Sequence, residues 1–371
     1  MLLDSLNNAM YNKKINDPQF EKEHLKMKEL QWFKEAKYGL MVHFGLYSVL
    51  GGVYKGKRSG AYAEWIQATH AIPNSEMEKI ARTFNPIYFD ADEWAKFAVD
   101  CGMKYIVITT KHHDGFALFK SEADSYNCCD FTPFKRDIIK ELSDACRKYG
   151  LKFGIYYSQD LDWHEKHGGG YNSEPVNCAG VTWENSWDFP NKEEKNFEIT
   201  FRKKILPQIE EIMTKYGEIA LAWFDMPMTL TPAQSEEIYA LVKKHQPNCL
   251  VNSRLGNGKY DYVSLGDNEI PTKIDTETKA VNWNGISGFK PSPYGFYESA
   301  CTLNKSWGYC SWDHKYKTAE TIFANKQRLS DLGINYLINV GPDHLGRFPL
   351  EAQYILKEVA RLDKESGSSA E

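Results

Sequence analysis

Ile219 to Asp225 reads Ile-Ala-Leu-Ala-Trp-Phe-Asp, a run of apolar and small residues closed by a carboxylate and followed at once by Met226-Pro227. Such a run predicts a strand buried on both faces. Side chains alternate along a strand, so Asp225 shares a face with Trp223, Leu221 and Ile219, and an acid and an indole project together from its carboxyl end. Taken alone, Asp225 suits a turn or a helix cap equally well. Other runs end in the same way. Tyr38 to His43 ends in His43, the run from Lys104 leads into Lys111-His112-His113-Asp114-Gly115, Lys152 to Ser158 ends in Tyr157-Ser158, and Cys249 to Arg254 ends in Arg254. The carboxylate of Glu269 follows a further strand. Each of these residues has an ordinary reading as a satisfied core histidine or a structural ion pair. Their recurrence at corresponding strand ends is what points to one site.

The chemistry such a set would do is sugar chemistry. Imidazoles and a guanidinium hydrogen-bond to hydroxyls, and Trp65 and Trp223 offer flat apolar faces to C–H bonds. Two carboxylates can then cleave a glycosidic bond, one as nucleophile and one as acid and base. A metal site built from His43, His112 and His113 with Asp114 or Asp225 is the alternative. No H-x-H or H-E-x-x-H spacing supports it, and neither a metal nor another cofactor is expected.

Strands that deliver side chains this way need helices between them, and the helix signals are present. Ser75-x-x-Glu78 and Asp90-x-x-Glu93 read as capping boxes, and Trp94, Phe97, Ala98 and Cys101 fall on one helical face. Ile138, Leu142, Ala145, Cys146 and Tyr149 form a second stripe, stopped by Gly150. A long amphipathic helix runs to Tyr216 with a kink expected at Pro207, and helices open at Pro232, near Thr318 and at Pro349. Ser306-Trp307-Gly308-Tyr309 and Ile334 to Val340 complete roughly eight strands alternating with helices, the signature of an α/β fold of the (β/α)8 TIM-like barrel type, here distorted or incomplete. A doubly wound open sheet is the runner-up, weakened because no G-x-G-x-x-G turn follows the first strand. The expected organisation is a polar segment over 1–30, a surface helix or loose tail; one catalytic barrel over 31–364; and a disordered tail over 365–371.

Composition narrows the partners. With 45 basic and 50 acidic residues among 371, the formal charge is -5 and no basic block appears, which argues against nucleic acid. Aromatic residues make up 14%, including 10 Trp and 22 Tyr, which fits either ring faces for a flat hydroxylated ligand or a heavily aromatic core. The N-terminus lacks an apolar h-region and no stretch approaches about 18 apolar residues, so a soluble, non-exported, cytoplasmic protein without membrane contact is expected. The 8 cysteines include the adjacent pair Cys128-Cys129 and no paired C-x-x-C spacing, and are read as reduced structural thiols.

Taken in order, several stretches resemble the α-L-fucosidases of glycoside hydrolase family 29. They are Ala36-Lys37-Tyr38-Gly39 with His43-Phe44-Gly45-Leu46-Tyr47-Ser48, Glu64-Trp65, and Thr110-Lys111-His112-His113-Asp114-Gly115-Phe116. Further on come Gly154-Ile155-Tyr156-Tyr157-Ser158, Trp223-Phe224-Asp225, Asn252-Ser253-Arg254, Asn304-Lys305-Ser306-Trp307-Gly308-Tyr309 and Asn335-Tyr336-Leu337-Ile338-Asn339-Val340-Gly341-Pro342. The resemblance implies a retaining exo-hydrolase that removes terminal α-L-fucose from glycans or glycosides without a metal. Asp225 falls on the nucleophile position, and His43, Glu64, Trp65, His112, His113, Tyr157, Trp223 and Arg254 fall on positions lining the fucose pocket. Glu269 sits where the family's acid/base loop begins, with Glu277 and Glu298 as alternatives. Phe44 stands where a Trp is usual, and the β-sandwich domain common in the family does not follow the barrel. A fucose-binding protein without catalysis, or an exo-glycosidase for α-L-galactosides, are rival readings. Linkage and oligomeric state stay open.

Overall fold

The computed structural model describes residues 18–60, 62–172, 182–273 and 291–368, with the side chains of 18–25 and 367–368 left aside. Eight parallel strands carry the fold: β1 (Tyr38–Val42), β2 (Tyr105–Lys111), β3 (Lys152–Ser158), β4 (Leu221–Asp225), β5 (Leu250–Val251), β6 (Val263–Ser264), β7 (Tyr297–Thr302) and β8 (Ile334–Val340). Their order is β5-β4-β3-β2-β1-β8-β7-β6, each neighbour parallel. That order is cyclic, cut between β5 and β6, and so excludes a doubly wound sheet, in which the order reverses at a switch point. Across the cut, one bridge joins Asn252 to Tyr262. The fold is therefore a distorted (β/α)8 barrel with an incompletely zipped seam.

After α1 (Pro18–Ala36), which precedes the barrel, come α2 (Ala91–Asp100), α3 (Ile138–Lys148), α4 (Leu206–Lys215), α5 (Pro232–His245), α6 (Ala319–Asp331) and α7 (Leu350–Ser368). They follow β1, β2, β3, β4, β7 and β8. Among the described residues no such helix follows β5 or β6. Asp90 and Asp137 cap α2 and α3 by accepting from the Glu93 and Lys140 amides, and Thr231 with Gln234 makes a capping box on α5. Ser75 caps nothing: its helix starts one residue earlier, at Asn74, behind Pro73. The missing amide of Pro207 is accommodated by a π-helical turn over Phe201–Ile205 just before α4, where a kink was expected.

Of the surface helix or loose tail expected up to Leu30, the described part is helix, and its end reaches the core. Leu30, Phe33 and Ala36 are buried inside the barrel with Tyr105, Tyr262 and Phe296, closing its floor, and Asn335 Nδ2 donates to the Phe33 carbonyl at 2.7 Å. At the other end, α7 continues through Ser368, so helix covers the first residues of the expected tail. Ser306 to Tyr309 is loop, and β7 lies earlier, at Tyr297–Thr302.

The barrel lumen holds Met41, Tyr105, Val107, Tyr156, Leu221, Trp223, Leu250, Tyr262, Ala300 and Leu337, while a larger apolar shell packs the outer strand faces against the helices. Gly39 leaves room for the Tyr105 ring, which would meet a Cβ there at 2.4 Å. No disulfide forms among the described cysteines, and most of them are buried. Among the described residues no helix is long and apolar enough to cross a membrane.

Candidate active site

Seven of the eight strands and the segments after them line one cavity at their carboxyl ends, about 410 Å3 including its open mouth. His43 follows β1, and the 3-10 turn Ala63–Trp65 brings in Glu64 and Trp65. β2 delivers His112 and His113, both to the cavity although adjacent, because the ladder shifts register between Thr109 and Lys111 and the strand ends there. Tyr156 comes from β3, Trp223 and Asp225 from β4, Arg254 from the 3-10 turn after β5, Asp267 from the turn after β6, and Trp307 from the loop after β7. Asn339, on β8, holds His43 from behind. Met226, next to Asp225, is buried with φ 60, a left-handed turn costly for a non-glycine residue that ends β4 at its carboxylate.

Two carboxylates share one cation. Arg254 Nη1 donates to Asp225 Oδ1 at 3.2 Å and Nη2 donates to Asp267 Oδ1, while the guanidinium lies 4.5 Å from the centre of the Trp223 ring. Tyr156 donates its hydroxyl to Asp225 Oδ2 at 2.8 Å, and the Asp225 amide donates to Gln159 Oε1 at 2.8 Å. Burial pushes the Asp225 carboxyl up to about 6, against the pull of Arg254. Glu64 is pushed up to about 7 by burial; its Oε2 accepts from the Gly308 amide at 2.8 Å, and its Oε1 has no hydrogen-bond partner among the described residues. A Cβ at residue 308 would sit 2.7 Å from the Tyr47 ring, so Gly308 is what lets this loop reach Glu64.

The histidines are uncharged. Burial lowers His43 to about 3 and holds His112 and His113 well below the ordinary imidazole range. His112 stacks on Tyr156 with centroids 5.4 Å apart, and the Trp65 edge meets His113 at 4.8 Å. Among the described residues no three His, Cys, Asp or Glu side chains converge as metal ligands would. Neutral imidazoles, a shielded carboxylate pair and ring faces of Trp65, Trp223 and Trp307 suit a small, uncharged, polyhydroxylated ligand.

The α-L-fucosidase family model matches residues 6–367. The chain belongs to the α-L-fucosidase family. Among curated relatives, the α-L-fucosidase of Dictyostelium discoideum is 25% identical over 86% of this chain and 66% of its own length, so the chain spans about two thirds of that relative. Among solved structures, unliganded α-L-fucosidase AlfC from Lactobacillus casei is 56% identical with a TM-score of 0.85, covering 92% of this chain and 99% of that one. The α-L-fucosidase from Vibrio sp. strain EJY3 is 32% identical with a TM-score of 0.80, covering 91% of this chain and 55% of that one. AlfC has been solved with α-L-fucose product, and a variant of it with Fucα(1,6)GlcNAc.

In this α-L-fucosidase family member, His43, Glu64, Trp65, His112, His113, Trp223, Asp225 and Arg254 line the cavity, where the resemblance had led them to be expected. Tyr157 does not. It points into the outer shell, where its hydroxyl donates to Gln208 Oε1 at 2.8 Å and Lys111 lies over its ring. Tyr156 pairs with Trp223 in register and takes the inward place. Glu269 also lies off the cavity, its carboxylate folded back to accept from the Gly266 amide at 2.8 Å. Asp267, two residues earlier, lines it. Glu298 sits in the lumen under Trp223, accepting from Trp223 Nε1 at 2.9 Å and the Tyr105 hydroxyl at 2.7 Å. Glu277 lies outside the described residues. Met41, Tyr62, Tyr156, Met226, Asp267 and Trp307 also line the cavity and were not among the expected site residues. Tyr156 and Tyr157 are adjacent, and the register of β3 on β4 is what decides which of them faces inward.

Proposed function

We propose that this chain is a retaining, exo-acting α-L-fucosidase that releases terminal α-L-fucose from a fucosylated glycan or glycoside, with Asp225 as nucleophile and Asp267 as general acid and base. The observation that carries the reading is the Arg254 fork, which holds two carboxylates side by side in a cavity walled by histidines and tryptophans. Two carboxylates held by one guanidinium are close neighbours, which supports retention, where the pair stands about 5 to 5.5 Å apart, over inversion, where it is wider. An acceptor-rich pocket favours a ligand rich in hydroxyl protons, and the fucosides bound by AlfC supply the substrate class.

In the first step an Asp225 oxygen forms a bond to C1 of fucose as the C1–O bond to the aglycone breaks, and the departing oxygen takes the proton of Asp267. Ionised Asp225 is held for attack by Arg254 and the Tyr156 hydroxyl. While Asp267 carries the proton it loses the ion pair with Arg254, and one of its oxygens still accepts from the guanidinium as the other gives up the proton. In the second step the Asp267 carboxylate takes a proton from water, whose oxygen attacks C1 and frees Asp225. The product keeps the α configuration. Trp65 and Trp307 cover ring C–H bonds, and Glu64 Oε1 is open to a sugar hydroxyl.

The test is turnover of an aryl α-L-fucoside, with the anomer first released read by NMR. Asp225→Ala should lower kcat by about 10^4-fold or more. Asp267→Ala should cost far more on a fucoside with a poor leaving group than on an activated one, because only the former needs the proton. Undiminished turnover in Asp225→Ala, or β-fucose as first product, sinks the reading. No turnover by the wild type, with fucose still raising its melting temperature, favours a fucose-binding protein.

A further inference from the structure

Two histidines that line the cavity are each held from behind by a side chain that does not line it. His43 Nδ1 lies 2.7 Å from Asn339 Oδ1, and Asn339 Nδ2 donates to the Trp307 carbonyl at 2.7 Å. A backbone carbonyl can only accept, so the amide orientation is fixed: the nitrogen faces Trp307 and the oxygen faces His43. Oδ1 can only accept in turn, so His43 Nδ1 carries the proton. His113 repeats the logic with a hydroxyl. Its Nδ1 lies 2.7 Å from Ser158 Oγ, and Ser158 Oγ lies 2.9 Å from the Leu161 carbonyl. Two oxygens at that distance need a hydrogen between them, which spends the one hydroxyl proton on Leu161. Oγ is left as an acceptor, and His113 Nδ1 is again the donor.

We propose that Asn339 and Ser158 are positioning residues that lock His43 and His113 as Nδ1–H tautomers, so that both present a bare Nε2 lone pair to the ligand and read the fucosyl group through the protons its hydroxyls donate. His113 Nε2 stands 3.9 Å from Asp225 Oδ2. In this tautomer it donates nothing to the nucleophile, and its lone pair is left to accept the one proton of a sugar hydroxyl placed beside the pair. Burial keeps both rings uncharged, so the lone pairs persist through the neutral range. The ligand's identity rests on the fucosidase reading. The tautomers do not.

Histidine labelled with nitrogen-15 in the intact, ligand-free protein gives two-bond proton–nitrogen patterns that separate Nδ1–H from Nε2–H rings, with His43 and His113 assigned by loss of their signals in His43→Gln and His113→Gln. Both rings should show the Nδ1–H pattern; an Nε2–H pattern at either overturns the proposal for that ring. In kinetics on an aryl fucoside, Ser158→Ala and Asn339→Ala should each raise KM about tenfold, the worth of one misdirected hydrogen bond, with a smaller change in kcat. Ser158→Thr, which keeps the hydroxyl, should restore KM together with the His113 pattern. Unchanged KM in a folded Ser158→Ala whose His113 ring has switched tautomer also overturns it. Nδ1–H rings without fucosidase turnover would uphold this inference and end the functional reading, and Nε2–H rings with full turnover would do the reverse.

Discussion

Asp225 sits between opposed influences: burial pushes its carboxyl up, the Arg254 guanidinium pulls it down, the Asp267 charge pushes it up again, and the Tyr156 hydroxyl pulls it down, leaving it at about 6. In the proposed role of nucleophile Asp225 works only when ionised. The rate should therefore be present above about pH 6 and fall about tenfold per unit below it, as the proton returns. Arg254→Gln removes the cation that favours the ionised form, so the acidic limb of kcat/KM should move to higher pH by about one unit or more. A limb that stays in place, or moves to lower pH, would mean that another group controls it. The same residue shows how far side chains could be read from sequence. Asp225, His43 and Arg254 were legible because each closes an apolar run. Tyr156 was not, because β3 is buried on both faces and its own hydrophobicity carries no parity. Asp267 was masked by Glu269, since one turn, Gly266 to Glu269, carries both carboxylates, and only its folding shows that Glu269 is spent on its own backbone.

At the scale of elements, the weak place is the seam. β5 is two residues long, and side chains extend the ladder that its backbone abandons. Asn252 exchanges both amide groups with the backbone of Phe224, at 2.9 Å each way, acting as the next residue of the strand. Gln159 ties the Asp225 amide to the Arg254 carbonyl in the same manner. Across the seam, buried Asp261 accepts from the Val251 amide at 2.8 Å, from Lys243 Nζ at 2.6 Å and from the Tyr239 hydroxyl at 2.8 Å. Asp261→Ala leaves a buried amide and a largely buried ammonium without their acceptor, and should cost about 3 kcal/mol of stability in urea unfolding. Because Arg254 rides on this seam, activity should fall with it; a neutral change in both would deny Asp261 its clamping role. Strands with β-branched runs, β2 and β8 above all, were readable from sequence. β7 was not. Its sequence Tyr-Glu-Ser-Ala-Cys-Thr reads as polar, since the lumen it faces is itself partly polar, with Glu298 received there by Tyr105 and Trp223.

For the whole molecule, the cavity belongs to no single strand or loop. Its lining arrives from seven strand ends and is braced from the eighth by Asn339, so closing the ring is what creates the site. The floor under it depends on α1, whose Phe33 packs against Tyr105 and also against Tyr262 and Phe296, from which most of the barrel separates it along the chain. No pattern was strong enough to assign that helix from sequence, because among its described side chains the fully buried ones form a narrow stripe, Leu30, Phe33 and Ala36. A site assembled from every strand should not melt ahead of the barrel. Loss of fucosidase activity and loss of far-ultraviolet circular dichroism should share one urea midpoint, and fucose at about a hundred times its dissociation constant should add about 2.7 kcal/mol to the unfolding free energy by binding the folded state alone. Activity that disappears at lower urea than the dichroism would show that the strand ends can part while the barrel stands, and the seam between β5 and β6 is where that opening would begin.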